Sequence, residues 1–184
     1  MTYEMDIAGL KRELPLCRVT DELYIGAFVM FGDVELTVHC AAELLKCAPE
    51  YDYLIAPEAK AIPLLYEMAR QSGAEKYFLA RKGAKAYMTG VFEVEVRSIT
   101  TMHIQKLVID TADAELIKGK KILIVDDVIS TGESLHAMEE LVKRAGGIIA
   151  GKMAVLAEGD AKDRDDIITL APLPLFNADG SVKE

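Results

Sequence analysis

One stretch constrains this 184-residue chain more than any other: Ile122-Leu-Ile-Val-Asp126-Asp127-Val-Ile-Ser130-Thr131-Gly132-Glu133-Ser134. Lys121 to Val125, behind Gly119, reads as a buried strand. It runs into two adjacent carboxylates, then into a turn of small and hydroxylated residues. A helical pattern follows from about Glu133 to Ala145 and ends at Gly146-Gly147. Ligands of open α/β sheets bind at the C-terminal ends of strands, where the acids stand. A helix N-terminus offers unpaired N–H groups and a partial positive charge, and so receives a phosphate. Ser130, Thr131 and Ser134 add hydroxyl donors, and Gly132 allows close backbone approach. Phosphate at the turn, with acids beside it to accept hydrogen bonds from hydroxyls, suits a sugar phosphate. A Walker A loop is excluded because GxxxxGK[ST] is absent, and a dinucleotide fingerprint because no GxGxxG follows the first strand.

The rest of the chain supplies the frame. Residues 33–47 carry apolar positions at helical spacing, with Asp33 as N-cap. Tyr53 to Pro57 reads as a strand, 60–72 as a helix closed by Gly73, and Lys76 to Ala80 as a second strand. Residues 82–110 break the alternation: VFEVEVRSITTMHIQKLVID alternates apolar and polar positions, which predicts a two-stranded ribbon turning near Thr100-Thr101-Met102. Ile148 to Ala157 is a further strand, 158–166 an acidic loop, and Ile167 to Ala171 a last core strand stopped by Pro172-Leu-Pro174. Residues 175–184 read as a tail, and residues 1–32 as a mixed segment ending in the aromatic-rich run Tyr24 to Gly32. No internal repeat is visible. Strand–helix alternation implies an α/β fold, a mostly parallel sheet with helices on both faces.

Composition narrows the partners. Lys and Arg number 21 against 30 Asp and Glu, a net charge of −9, which argues against a nucleic-acid binder. It leaves open a local phosphate site built from backbone N–H groups. No apolar run approaches the roughly 20 residues that span a bilayer. The start, MTYEMDIAGLKRELPL, lacks the basic-then-apolar pattern of a secretory signal. Cys17, Cys40 and Cys47 are odd in number with no CxxC, and read as buried, reduced thiols of a cytoplasmic protein. His39, His103 and His136 have no metal-ligand spacing.

The strand, paired acids and Ser-Thr-Gly-Glu-Ser turn resemble the phosphoribosyl-pyrophosphate (PRPP) signature of type I phosphoribosyltransferases. The resemblance runs over roughly residues 15–174. Glu58-Ala59-Lys60-Ala61 is similar to the pyrophosphate loop of adenine- and xanthine-type members, for which an unusual peptide geometry is implied, with Ala61 in place of the usual Gly. Arg81-Lys82-Gly83-Ala84-Lys85 looks like the Arg-Lys-x-x-Lys run of adenine enzymes. Val96-Arg97-Ser98-Ile99-Thr100-Thr101 resembles the lid of xanthine enzymes, and the Glu-Tyr-Gly of adenine enzymes is missing. Glu158 falls where the xanthine type has a base-contacting lysine, and a carboxylate there better suits an exocyclic amino group.

The resemblance implies a single domain over 1–184. It would have a small hood from about 1–32 plus the C-terminal segment, and a flexible ribbon lid over about 82–110. It implies phosphoribosyl transfer from PRPP to a purine base, giving a nucleoside 5′-monophosphate and pyrophosphate. Asp126 and Asp127 would hold the ribose hydroxyls. Ser130, Thr131, Gly132, Glu133 and Ser134 would bind the 5′-phosphate. Glu58, Ala59, Lys60, Arg81, Lys82 and Lys85 would bind pyrophosphate, and Phe28, Phe31 and Glu158 the base. Mg²⁺ would arrive on PRPP without a dedicated protein cage. A cytoplasmic homodimer is expected, with PRPP and a nucleobase as partners and neither nucleic acid nor membrane. Two alternatives stand beside this reading: a PRPP-sensing regulator of the same fold, and an enzyme acting on a pyrimidine such as orotate. Orotate enzymes carry a lysine-dense lid, where this chain has Thr100-Thr101-Met102-His103.

Overall fold

The computed structural model describes residues 1–97 and 104–183. The chain runs β1 (Thr2–Ile7), β2 (Leu10–Arg18), β3 (Tyr24–Gly26), α1 (Val34–Cys47), β4 (Tyr53–Pro57), α2 (Ile62–Ser72), β5 (Phe78–Ala80), β6 (Val91–Arg97) and β7 (Ile104–Asp110). It continues through α3 (Thr111–Ile117), β8 (Lys121–Ile129), α4 (Glu133–Arg144), β9 (Ile148–Glu158), β10 (Ile168–Leu173) and β11 (Leu175–Phe176).

Five strands form a parallel sheet in the order β10-β9-β8-β4-β5. Successive side chains of a strand point to opposite faces, and β8 shows the consequence. Leu123 and Val125 join a core built with Leu36, Cys40 and Leu44 of α1 and Leu64, Leu65 and Met68 of α2. Ile122 and Ile124 join the opposite core, with Ala114 and Ile117 of α3 and Leu135, Met138 and Leu141 of α4. A strand buried on both faces needs the unbroken apolar run that 122–125 provides. The helices start where the chemistry favours it. Asp33 accepts a hydrogen bond from the Leu36 N–H at 3.0 Å, and α2 closes at Gly73, whose φ of 72° is left-handed.

A separate four-stranded sheet, β1-β2-β3-β11, joins the two ends of the described chain. The antiparallel pair β6–β7 forms the ribbon. The expected turn at Thr100–Met102, most of the Val96–Thr101 run and His103 lie outside the described residues.

Four expectations change. Residues 175–184 are not a loose tail: Leu175 and Phe176 pair with Ile25 and Tyr24, and Phe176 is fully buried with its ring 4.9 Å from that of Tyr3. Pro172 does not stop its strand, because β10 is an edge of the sheet and the missing N–H costs no ladder bond there. Helix α3, between the excursion and the β8 strand, went unseen, although Asp110 caps it by accepting from the Ala112 N–H at 3.1 Å. Of the thiols only Cys40 is buried, where desolvation pushes it up to about 12; Cys17 and Cys47 are exposed.

Candidate functional site

A cleft of about 600 Å³ opens at the C-terminal ends of β4 and β8. Pro57, Glu58, Ala59, Lys60, Lys82, Lys106, Leu107, Asp126, Asp127, Val128 and Ser134 line it. A smaller hollow of about 220 Å³ is lined by Asp126 and by Val128 through Leu135. Asp126 and Ser134 border both, so the acid pair and the turn share one continuous site.

The strand that the sequence reading ended at Val125, with the acids at its C-terminal end, is longer. β8 continues through them to Ile129, because β9 is long enough to pair Asp126 with Ala154 and Val128 with Leu156. Asp127 is buried, and its N–H donates to Asp126 Oδ1 at 2.9 Å. Burial first, then the adjacent Asp127 charge, holds the Asp126 carboxyl well above the usual range, so it tends to keep its proton. Lys60 Nζ stands 2.9 Å from Asp127 Oδ2. That oxygen is buried and receives no hydrogen bond of good geometry, so the ammonium offsets its charge without satisfying it.

The turn beyond β8 reaches α4 through Gly132, whose φ of 80° is left-handed, and no side chain caps the helix. The first N–H groups of a helix lack acceptors within the helix and can meet a phosphate; here that of Glu133 already reaches Thr131 Oγ1 at 3.5 Å. Across the cleft, the peptide between Glu58 and Ala59 is cis, in line with the unusual geometry implied for this loop. Ala61 has φ −76° and ψ −5°, an ordinary helical conformation that an alanine adopts as readily as a glycine.

The basic residues divide. Lys60 and Lys82 line the cleft. Arg81 does not: its Nη1 donates to Glu58 Oε1 at 3.2 Å, and its guanidinium lies 5.6 Å from the Tyr87 ring. The Lys82 N–H donates to the other Glu58 oxygen, so Glu58 ties the β4 loop to the end of β5. Lys85 is not among the lining residues. Lys106 of β7 is, and sequence reasoning passed over it; it pairs with Glu93 of β6 at 2.6 Å. Nothing in the sequence singled it out, because only the pairing of β6 with β7 brings it to the cleft.

The base candidates are not brought together. Phe28 is buried in the core shared with α1, and Phe31 is exposed beside Gly32; neither lines the cleft. Core packing has taken the first ring. Glu158 ends β9 half-buried, where desolvation raises its carboxyl and the nearby Lys60 charge partly opposes the rise. Among the described residues no group of His, Cys, Asp and Glu is placed to hold a metal ion, and no helix is long and apolar enough to cross a membrane.

A parallel sheet with paired acids and a phosphate-type turn at one strand end defines a class, and the comparisons agree with it. Residues 39–172 match the phosphoribosyl transferase domain, and the chain belongs to that family. It is 34% identical over 110 residues to an adenine phosphoribosyltransferase of Thermotoga sp. (strain RQ2), covering 59% of this chain and 60% of that protein. An orotate phosphoribosyltransferase of Caldanaerobacter subterraneus subsp. tengcongensis is 29% identical over 111 residues, covering 60% of this chain and 47% of its own. The aligned region thus spans about three fifths or less of these relatives' length. In fold, the crystal structure of an adenine phosphoribosyltransferase from Thermoanaerobacter pseudethanolicus superposes with a TM-score of 0.65 at 22% identity, over 94% of this chain and 95% of that one.

Proposed function

We propose that the protein transfers the 5-phosphoribosyl group of PRPP to a purine base, adenine above others, releasing pyrophosphate. One observation carries this reading: Asp126 lines both the cleft that holds Glu58, Ala59 and Lys60 and the adjoining hollow formed by the Ser130–Ser134 turn, with Asp127 beside it. The name borne by the Thermotoga relative supports adenine.

The reaction displaces pyrophosphate from the anomeric carbon by a ring nitrogen of the base. Positive charge grows on the ribose and negative charge on the leaving diphosphate, so catalysis is mostly positioning and electrostatics. Asp127 accepts from a ribose hydroxyl and faces the developing cation. Asp126 can donate or accept, according to its proton. The N–H groups and hydroxyls from Ser130 to Ser134 hold the 5′-phosphate. Lys60 and Lys82 meet the diphosphate, and Lys106 adds a third cation from the ribbon. Lys60 is paired with Asp127 in the free protein, and a diphosphate competes for it. Glu58 positions the loop and neutralises Arg81, so Arg81 and Lys85 serve at most at longer range. Glu158 is the favoured base contact; Phe28 is left to packing.

The residues fit a magnesium ion that arrives on the diphosphate: Asp127 can offer it a carboxylate, and Asp126 one once its proton is displaced, but no protein cage exists among the described residues. When bound, the ion would neutralise charge on the leaving group. The β1-β2-β3-β11 sheet would serve as hood and the β6–β7 ribbon as lid, within one domain. The reading extends to a cytoplasmic homodimer. Exposed Val29, Phe31, Val34 and Tyr66 beside the α1–α2 groove support a second copy.

The test is pyrophosphate release with Mg²⁺, PRPP and each nucleobase in turn. Release with adenine is expected. Release with orotate alone, the activity named for the Caldanaerobacter relative, would move the substrate to a pyrimidine. Tight PRPP binding without any turnover would make the protein a sensor.

A further inference from the structure

Arg164 follows the short 3-10 turn Gly159–Asp163 beyond β9. Its Nε and Nη2 donate to the two oxygens of Asp166 at 2.9 and 2.8 Å, the two-pronged pairing that fixes a guanidinium plane. Asp166 is also paired with Lys152 of β9, and Lys152 reaches Glu139 of α4 at 2.8 Å. The arginine is therefore anchored, through two carboxylates and a lysine, to the helix that the Ser130–Gly132 turn begins.

The remaining edge, Nη1, has no acceptor among the described residues and lies against Gly132. A methyl group built on that glycine would stand 2.6 Å from it. Position 132 requires glycine for its φ of +80°, and a side chain there would also displace the Arg164 guanidinium. The Asp166 carboxylate occupies the Nε and Nη2 side, so the guanidinium presents its unpaired edge to the turn.

We propose that Arg164 is a positioning residue for the 5′-phosphate: it braces the turn at Gly132 and adds a fixed positive charge where the first N–H groups of α4 converge. This rests on the reading of Ser130–Ser134 as the phosphate turn. Arginine suits the task because its plane can be locked by one carboxylate while another edge stays available. The ion network explains why part of the acidic loop 158–166 is acidic: Asp166 is the residue that aims the arginine.

The experiment titrates wild-type, Arg164→Gln and Arg164→Lys proteins with ribose 5-phosphate and, separately, with pyrophosphate. Arg164→Gln should bind ribose 5-phosphate about tenfold more weakly, as expected for a lost charge-assisted contact, with pyrophosphate binding held within about twofold. In turnover, KM for PRPP should rise by a similar factor while kcat changes little. Arg164→Lys keeps the charge without the fork and should recover part of the affinity. Equal ribose 5-phosphate binding by Arg164→Gln and wild type, or equal loss of both ligands, would overturn the proposal. Wild-type protein that binds neither ligand would overturn the phosphate-turn reading, and this proposal with it. If Arg164→Gln does not fold, Arg164→Lys carries the same comparison: a selective loss of ribose 5-phosphate supports the proposal, and unchanged affinity overturns it.

Discussion

Asp126 and Asp127 differ more than their adjacency suggests. Asp127 is buried beneath Lys60, while Asp126 carries a carboxyl raised by burial and by its neighbour's charge. Asp127→Asn removes the acceptor nearest the developing cation; turnover should fall about a hundredfold or more, with the thermal unfolding curve little changed. Asp126 makes a prediction about stability and pH. Its pKa is higher folded than unfolded, so between those two values the folded state holds more protons. Stability therefore falls as pH rises through that window, and the penalty is greatest above the folded pKa. Asp126→Asn should flatten this slope and raise Tm at pH 8 by roughly 2–4 °C for each kcal/mol relieved, as read by calorimetry between pH 5 and 9. Neither difference was legible in the chain, where the two residues look equivalent. What separates them is the register with β9 and the reach of Lys60 from the loop after β4.

Among the elements, the short β11 has the largest consequence for its size. Phe176 fills the core of the β1-β2-β3-β11 sheet against Tyr3, and so closes a sheet made otherwise of residues near the start of the chain. Phe176→Ala should cost about 3–5 kcal/mol by leaving a cavity. Urea unfolding would read this as a lower midpoint at unchanged slope. Read from its residues the segment passed for a tail, because a two-residue strand has no periodicity to detect; only the family resemblance assigned the C-terminal segment to the hood. It missed α3 for a related reason: at seven residues the helix shows only two turns of pattern, and Asp110 as cap was hidden at the end of an alternating strand. The long elements were legible because their apolar spacing repeats. Asp33 and Gly73, which bound α1 and α2, could be named from residue type alone.

For the molecule as a whole, location resolves the apparent conflict between a net charge of −9 and an anionic ligand. Lys60, Lys82 and Lys106 face one cleft and leave the acidic excess elsewhere. The first two could be suspected from short basic runs; Lys106 could not, because only the pairing of β6 with β7 brings it round. Base recognition was the least legible part. Aromatic rings in the 24–32 segment suggested stacking, but Phe28 is committed to the core and Phe31 stands away from the cleft. Glu158, half-buried and close enough to feel the Lys60 charge but not itself lining the cleft, is what the molecule offers instead.

The central claim is that this cleft joins a purine to a phosphoribosyl group. The direct measurement is chromatographic detection of nucleotide after mixing the protein with Mg²⁺, PRPP and adenine. The account predicts adenosine 5′-monophosphate and pyrophosphate in equal amounts, with Asp127→Asn producing far less of both. No nucleotide from adenine, with wild-type protein folded and PRPP intact, would contradict it.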